Sequence, residues 1–433
     1  MIIENLYELY LNNPLVSTDS RNCAPGSIFF ALKGEKFDGN DYIMQVLEAG
    51  AACAVGDSKD LPNDKRIVKV NDTLLALQQL ANYHRRRMKT PVIAITGTNG
   101  KTTTKELLAA ALSSQHKTLY TQGNFNNHIG VPLTLLKLNK DHDLSVIEMG
   151  ANHRGEIAAL CRIACPDYGI ITNIGKAHLE GFGSFEGVVN TKTELYNYLK
   201  EENKTAFVNA DNPLLEPFLN GMNTVKYGSA DGNLVSGSVL SSVPYLSMQW
   251  KKGNSIETYK INTQLVGKYN YENVLAAVCI ASYFDVTPEN ICNAINNYLP
   301  QNNRSQSLQT ARNHLIIDAY NANPGSMKAA LDNFIALPAL HRMIILGEML
   351  ELGDYSREEH QKLVNEIHHC PDLERVFLCG GSFENLDGIP SAWNIFPSTE
   401  QLLGALEKEK IEGYSILIKG SRGNRLEKTV EWL

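Results

Sequence analysis

The sequence predicts an α/β chain organised as three domains, and three observations lead there. Its 433 residues exceed what one hydrophobic core organises and fit about three domains of roughly 150 residues each. An apolar run leads into ITGTNGKTTT at residues 95–104 and a helical pattern follows, which marks a parallel-sheet domain with a phosphate loop. A second series of short apolar strands alternating with helical stretches starts near residue 306 and predicts a Rossmann-like C-terminal domain.

Residues 1–88 look like a small α/β domain, with a short alternating stretch at 27–32, a helix-like run at 42–49 and an apolar stretch at 51–55. A polar, basic helical segment at 82–89 closes it, and Thr90-Pro91 breaks the pattern. Residues 89–305 make the central domain. Its continuous apolar strands at 144–148, 168–172 and 206–209 alternate with helices, which implies a parallel sheet covered on both faces. Residues 245–261 alternate around Lys252-Gly253-Asn254 and read as an added antiparallel hairpin. Residues 306–433 form the third domain, with strands at 315–318, 343–346, 376–379 and 415–418.

Composition narrows the class. A hydrophobic fraction of 43% and a charged fraction of 20% belong to a soluble globular protein. A formal charge of −7 argues against wholesale binding to nucleic acid or to an anionic membrane, while leaving local basic sites for phosphates. The start, MIIENLYELYLNN, has no cationic head and no unbroken apolar stretch, so it does not read as a signal peptide. No stretch of about 18 apolar residues occurs, so no membrane span is expected. The eight cysteines are scattered without a CxxC and are expected as reduced thiols of a cytoplasmic protein. Cys161 and Cys165 have the spacing of one helical face, which favours core packing over half a zinc site.

The loop at 95–104 carries the clearest chemistry. Backbone N–H groups at a helix N-terminus, with the helix dipole behind them, hold phosphate oxygens. Gly97 and Gly100 allow close approach, Lys101 can neutralise terminal phosphates, and the Thr102 hydroxyl can coordinate magnesium. Position 95 is Ile rather than the glycine that usually opens such a loop. Glu148 ends the strand LSVIE at the sheet edge where α/β ligands bind, so it can hold the nucleotide's magnesium directly or through water. His178 sits in the glycine-rich NIGKAHLEGFG, where a loop histidine taken alone is more often a surface residue than a ligand.

The shortened loop resembles that of the Mur ligase and folylpolyglutamate synthase superfamily, and similarity to the Mur ligase family then extends along almost the whole chain. It runs through GNFNNHIGVPLTLL, EMGANHRGEI, ITNIGKAHLEGFGSFEGV, AYNANPGSM, GEMLELG and KGSRGNRLE. The last three resemble the branch of the family that adds D-alanyl-D-alanine to UDP-N-acetylmuramoyl-tripeptide in peptidoglycan synthesis.

That resemblance implies ATP, Mg2+ and an acyl-phosphate route. It assigns ATP binding to Gly97, Thr98, Asn99, Gly100, Lys101, Thr102, Thr103, Asn273, Arg304 and Asp318. Metal binding falls to Thr102, Glu148, His178 and Lys192, with Lys192 carbamylated as in the family and Lys101, His178 and Lys192 as the catalytic set. Without the resemblance Lys192 would read as a helix-surface lysine, and the family often has histidine where Tyr269 stands. The nucleotide-sugar end of the precursor is implied for Ser20, Arg21, Lys33 and Asp38. The peptide and the incoming dipeptide are implied for Asn126, Asn127, Asn321, Asn323, Lys419, Ser421 and Arg422.

Two rivals remain at this point. A sister ligase would share the mechanism and differ in the amine. A slowly hydrolysing nucleotide switch would need a guanine-reading NKxD, and Asn203-Lys204 is followed here by Thr205-Ala206.

Overall fold

The computed structural model describes residues 3–300 and 304–433 and contains three sheets. The first has four parallel strands in the order Val16–Ser17, Ile28–Phe30, Cys53–Gly56, Ile67–Lys69. The stretch at 27–32 was expected to alternate between a buried and an exposed face, and it does not. Ile28 and Phe30 join the main core while Phe29 packs with Ile43 and Val46, so both faces are covered. A parallel sheet needs cover on both sides because its crossovers run over both.

The central sheet has nine strands. Val92–Thr96 lies between Leu144–Glu148 and Tyr168–Ile171, and Thr118–Tyr120 forms one edge. Beyond Tyr168–Ile171 the order continues through Thr205–Asn209, Asn223–Gly228, Val235–Ser241, Ser247–Lys252 and Tyr259–Asn262. All neighbours are parallel until Ser247–Lys252, which pairs antiparallel with both of its partners. The hairpin expected at 245–261 is therefore present, with Trp250 opposite Tyr259. Chain order reverses on either side of Val92–Thr96, which makes the carboxyl end of that strand the place where an open α/β sheet binds ligands.

The third sheet runs Gln306–Gln309, His314–Asp318, Ser415–Lys419, Arg342–Gly347, Leu373–Cys379, Asn394–Phe396, parallel except for its first pair. Asp318 and Lys419 end adjacent strands and stand opposite each other in register. Among the described residues no helix is long and apolar enough to cross a membrane. All eight cysteines are free thiols. The one-face reading of the cysteine pair fails: helix Glu156–Ala164 buries Cys161 but ends before Cys165, which caps it with left-handed backbone.

Candidate active site

The phosphate loop bridges strand Val92–Thr96 and helix Lys101–Ser113. Gly100 caps the helix with φ 79° and offers no side chain to its free N–H groups, which stay available to an anion. Two glycines are required by space. A Cβ on Gly97 would lie 2.0 Å from Thr172 Oγ1, and one on Gly100 would lie 2.2 Å from Asn273 Oδ1. The next strand's loop clamps the turn from outside: Asn99 N donates to Asn173 Oδ1 at 2.9 Å, and Thr172 Oγ1 donates to Asn99 O at 2.6 Å.

Lys101 folds back over this loop, donating to Gly97 O at 2.7 Å and Thr98 O at 2.9 Å. Burial pushes its pKa down to about 8, with Glu148 opposing that shift and Arg304 adding to it. Glu148 is buried at the end of its strand. Its Oε1 accepts from Thr102 Oγ1 at 3.1 Å and from Asn126 Nδ2 at 2.8 Å. Its Oε2 lies 3.5 Å from Lys105 Nζ and has no hydrogen-bond partner among the described residues. A carboxylate oxygen and a hydroxyl side by side, with a buried acceptor left over, suit a hard cation that keeps water and phosphate ligands. No group of three or more His, Cys, Asp or Glu side chains that could hold a metal occurs among the described residues, so phosphate oxygens would have to complete such a shell.

These side chains open into a cleft of about 980 Å³ between the central and C-terminal sheets. Residues 98–103, Asn126, Asn127, Glu148, His178, Asn273, Arg304, Asp318, Asn321 and Lys419 all line it. Asp318 and Lys419 neutralise each other there, with Lys419 Nζ 2.5 Å from Asp318 Oδ2 and 3.2 Å from Asn321 O. Arg304 lies with its guanidinium carbon 3.6 Å from the centre of the Tyr320 ring. Across the cleft Asn323 Nδ2 donates to Asn99 Oδ1 at 2.8 Å, so the two domains are closed on one another.

Matches to known proteins follow this division. Residues 14–85 match the Mur ligase family catalytic domain, 95–281 the Mur ligase middle domain and 303–422 the Mur ligase glutamate ligase domain. A UDP-N-acetylmuramoyl-tripeptide--D-alanyl-D-alanine ligase of Bacillus subtilis is 36% identical over 96% of this chain and 92% of its own. The chain belongs to the Mur ligase family. The Escherichia coli ligase of the same name is also 36% identical, over 96% of this chain and 93% of its own. Among solved structures, MurF of Acinetobacter baumannii superposes with a TM-score of 0.83 at 32% identity, covering 96% of this chain and 92% of that one. MurF ligase of Thermotoga maritima in complex with ADP gives 0.85 at 26% identity, covering 98% and 97%.

Against the sequence reading of this Mur ligase, several candidates stand outside the cleft lining. Ser20 and Arg21 form a short helical turn, and the Arg21 guanidinium is taken by Asp19 at 2.8 Å. Lys33 pairs with Asp57 at 2.9 Å and with Asp38 at 3.8 Å. Asn323 caps helix Pro324–Ala336 through a reciprocal bond pair with Ser326, and Ser421 Oγ accepts from Leu350 N at 2.9 Å. Arg422 donates to Tyr320 at 3.3 Å. Lys192 contradicts the surface reading: it is 2% exposed, on the packed face of helix Phe185–Glu201, with Nζ 5.3 Å over the Phe182 ring. Burial, then the charge of Lys101, pushes its pKa down to about 7.

The sequence reading passed over Lys105 and Tyr320. Lys105 follows Lys101 by four, which puts both on one face of the helix, and that spacing was the available signal. Tyr320 sat inside the recognised AYNANPG segment, but nothing in the pattern tells that its ring carries Arg304.

Proposed function

We propose that this Mur ligase joins D-alanyl-D-alanine to UDP-N-acetylmuramoyl-tripeptide, releasing ADP and phosphate. The carrying observation is the convergence on one cleft of a phosphate-binding helix start, the Glu148–Thr102 pair and the Asp318–Lys419 pair from a second domain. Relatives that bear this ligase name align over nearly the whole chain, and the Thermotoga maritima MurF was solved with ADP.

In this reading the loop N–H groups and Lys101 hold the ATP phosphates. The terminal carboxylate of the tripeptide attacks the γ-phosphorus, the bond to ADP breaks, and an acyl phosphate results. The free amine of the dipeptide then attacks the acyl carbon, loses a proton and expels phosphate, so no protein nucleophile is needed. Thr102 and Glu148 fit a magnesium site, with His178 on the lining of the same cleft, and bound magnesium would supply neutralisation of the like charges on carboxylate and triphosphate. Lys101 leaves its two carbonyl partners to reach phosphate, and Lys419 leaves Asp318 to face a substrate carboxylate.

Lys192 fits carbamylation by carbon dioxide. Only the neutral amine attacks carbon dioxide, forming an N–C bond and losing a proton, and a buried lysine with a pKa near 7 supplies that form readily. Lys192→Ala is expected to be nearly inactive and partly rescued by formate or acetate. Activity unaffected by the substitution removes this proposal.

The proposed domain bounds are 1–88, 89–305 and 306–433, each holding one sheet. The reading places the reaction in the cytoplasm, where ATP is available. Its test is ADP release with each substrate omitted in turn. Release is expected only with both the UDP-linked tripeptide and D-alanyl-D-alanine, and the product should gain one dipeptide while keeping a terminal carboxylate. A site built for the extra amide would leave buried donors unpaired with a single D-alanine. Equal turnover with one amino acid, or with glutamate and a folate, moves the assignment to a sister ligase.

A further inference from the structure

The loop that carries His178 is also the surface on which the C-terminal domain docks. Lys176 Nζ lies 3.1 Å from Glu359 Oε1, and Glu180 N donates to Glu351 O at 3.3 Å. A Cβ on Gly353, where φ is +54°, would come within 3.2 Å of Glu180 Cβ. Between these contacts His178 Nδ1 lies directly against Glu351 Oε2. Both residues hold left-handed backbone, with φ 49° at His178 and 63° at Glu351. Such backbone is unfavourable for a non-glycine residue and persists where its surroundings over-determine it.

The atom used is informative. An imidazole that serves a cation does so as the neutral ring, and the hydrogen bond made by its other nitrogen decides which nitrogen is free. Here Nδ1 is buried against the Glu351 carboxylate with no other hydrogen-bond partner among the described residues, so a proton on Nδ1 would leave Nε2 as the free nitrogen of a residue that lines the cleft.

We propose that Glu351 is a positioning residue for His178: its carboxylate, brought in by the C-terminal domain, accepts the Nδ1–H and reserves Nε2 for the cation side of the cleft. The inference rests on the ligase reading for what His178 serves. It adds that the histidine is set for its work only when the C-terminal domain is docked. Domain closure and preparation of the cation site then become one event rather than two.

The test has a spectroscopic arm and a kinetic arm. In protein labelled with 15N-histidine, without nucleotide or magnesium, His178 is identified by its loss in His178→Asn. The wild-type ring is expected as the Nδ1–H tautomer. Glu351→Ala should move it towards Nε2–H, while Glu351→Gln, whose carboxamide oxygen still accepts, should retain Nδ1–H in larger part. In ADP release, Glu351→Ala should raise the half-saturating magnesium concentration about 10–100-fold, as loss of a ligand's supporting carboxylate does. Its kcat at saturating magnesium should fall less, and Glu351→Gln should lie between. Lys176→Gln, which cuts another contact of the same junction and only loosens docking, should raise half-saturating magnesium far less than Glu351→Ala does. An unchanged tautomer in Glu351→Ala overturns the proposal, and so does an equal magnesium shift in Lys176→Gln, which would assign the effect to docking alone. If wild-type protein releases no ADP with the named substrates, the ligase reading fails while the tautomer arm still decides the role of Glu351.

Discussion

The central domain meets its two neighbours in different ways. On the N-terminal side, helix Thr73–Met88 packs against helices Gly130–Leu135 and Glu156–Ala164 and contributes buried charge to the contact. Arg85 donates to Ala164 O and Cys165 O at 3.0 Å and pairs with Asp167 at 2.6 Å. Tyr10 donates to Leu136 O at 2.5 Å, and His84 Nε2 bonds Leu138 O at 2.8 Å. On the C-terminal side the polar contacts are fewer, one partner of each charged pair is half exposed, and a large cleft interrupts them. The first junction satisfies carbonyls at a helix end that water cannot easily reach, so opening it would strand them. The second exposes little that water cannot solvate, so it can open and close as substrates come and go.

Several substitutions separate the two. The largest effect belongs to the cleft, whose charges should be dispensable for stability. Lys101→Ala is expected to cut turnover on the order of 10²–10³-fold, with its urea midpoint unchanged. A matching loss of stability would show that the cleft is part of the core.

Next comes the N-terminal junction. Arg85→Met should cost about 2–3 kcal/mol in urea unfolding, somewhat below the usual penalty for orphaning a buried charge, because Asp167 keeps Lys204 at 2.8 Å. A cost no larger than that of an exposed charge would erase the distinction between the junctions.

The same junction should weaken in mild acid. Burial lowers the His84 pKa below 6.5, partly offset by its bond to Leu138 O. The unfolded chain therefore takes up a proton that the folded one refuses as pH falls below 6.5. Stability is lost across the window from there down to the folded value and then levels off. His84→Gln should flatten that slope in unfolding measured between pH 7 and pH 5. Smallest of all, Lys176→Gln should change stability by less than about 1 kcal/mol, yet favour a more open particle in small-angle scattering. An unchanged scattering profile would argue that the C-terminal junction is as firm as the other.

What the sequence disclosed follows from how local each feature is. Strand Leu144–Glu148 was legible to the residue because four apolar or small residues end on one carboxylate beside a turn. The phosphate loop was legible because its glycines, lysine and threonine fall in one short run between a strand and a helix. Strands Asn223–Gly228 and Val235–Ser241 were not read, since their mixed exposure gives no clean period and pairing with distant chain fixes them. Lys192 was misplaced as a surface residue without the family resemblance, because a lysine's burial depends on what packs over its helix. Glu351 lay unremarked inside a segment already recognised, since its partner is far away in sequence and on another domain.

The described part of the connection between the second and third domains, from Arg304, runs along the cleft itself. Arg304 and Ser305 line it, Ser305 N donates to Asp318 Oδ1 at 3.3 Å, and the Ser305 hydroxyl bonds Tyr269 at 2.8 Å. The axle of any swing of the C-terminal domain therefore stands in the same cleft as the phosphate loop. A rotation that carries Glu359 well away from Lys176 moves Asp318 only slightly, as the hub of a door turns while its edge travels. Opening can release a product at the rim while the nucleotide-side contacts keep almost the same place, so the order in which ligands leave is written into where the chain crosses.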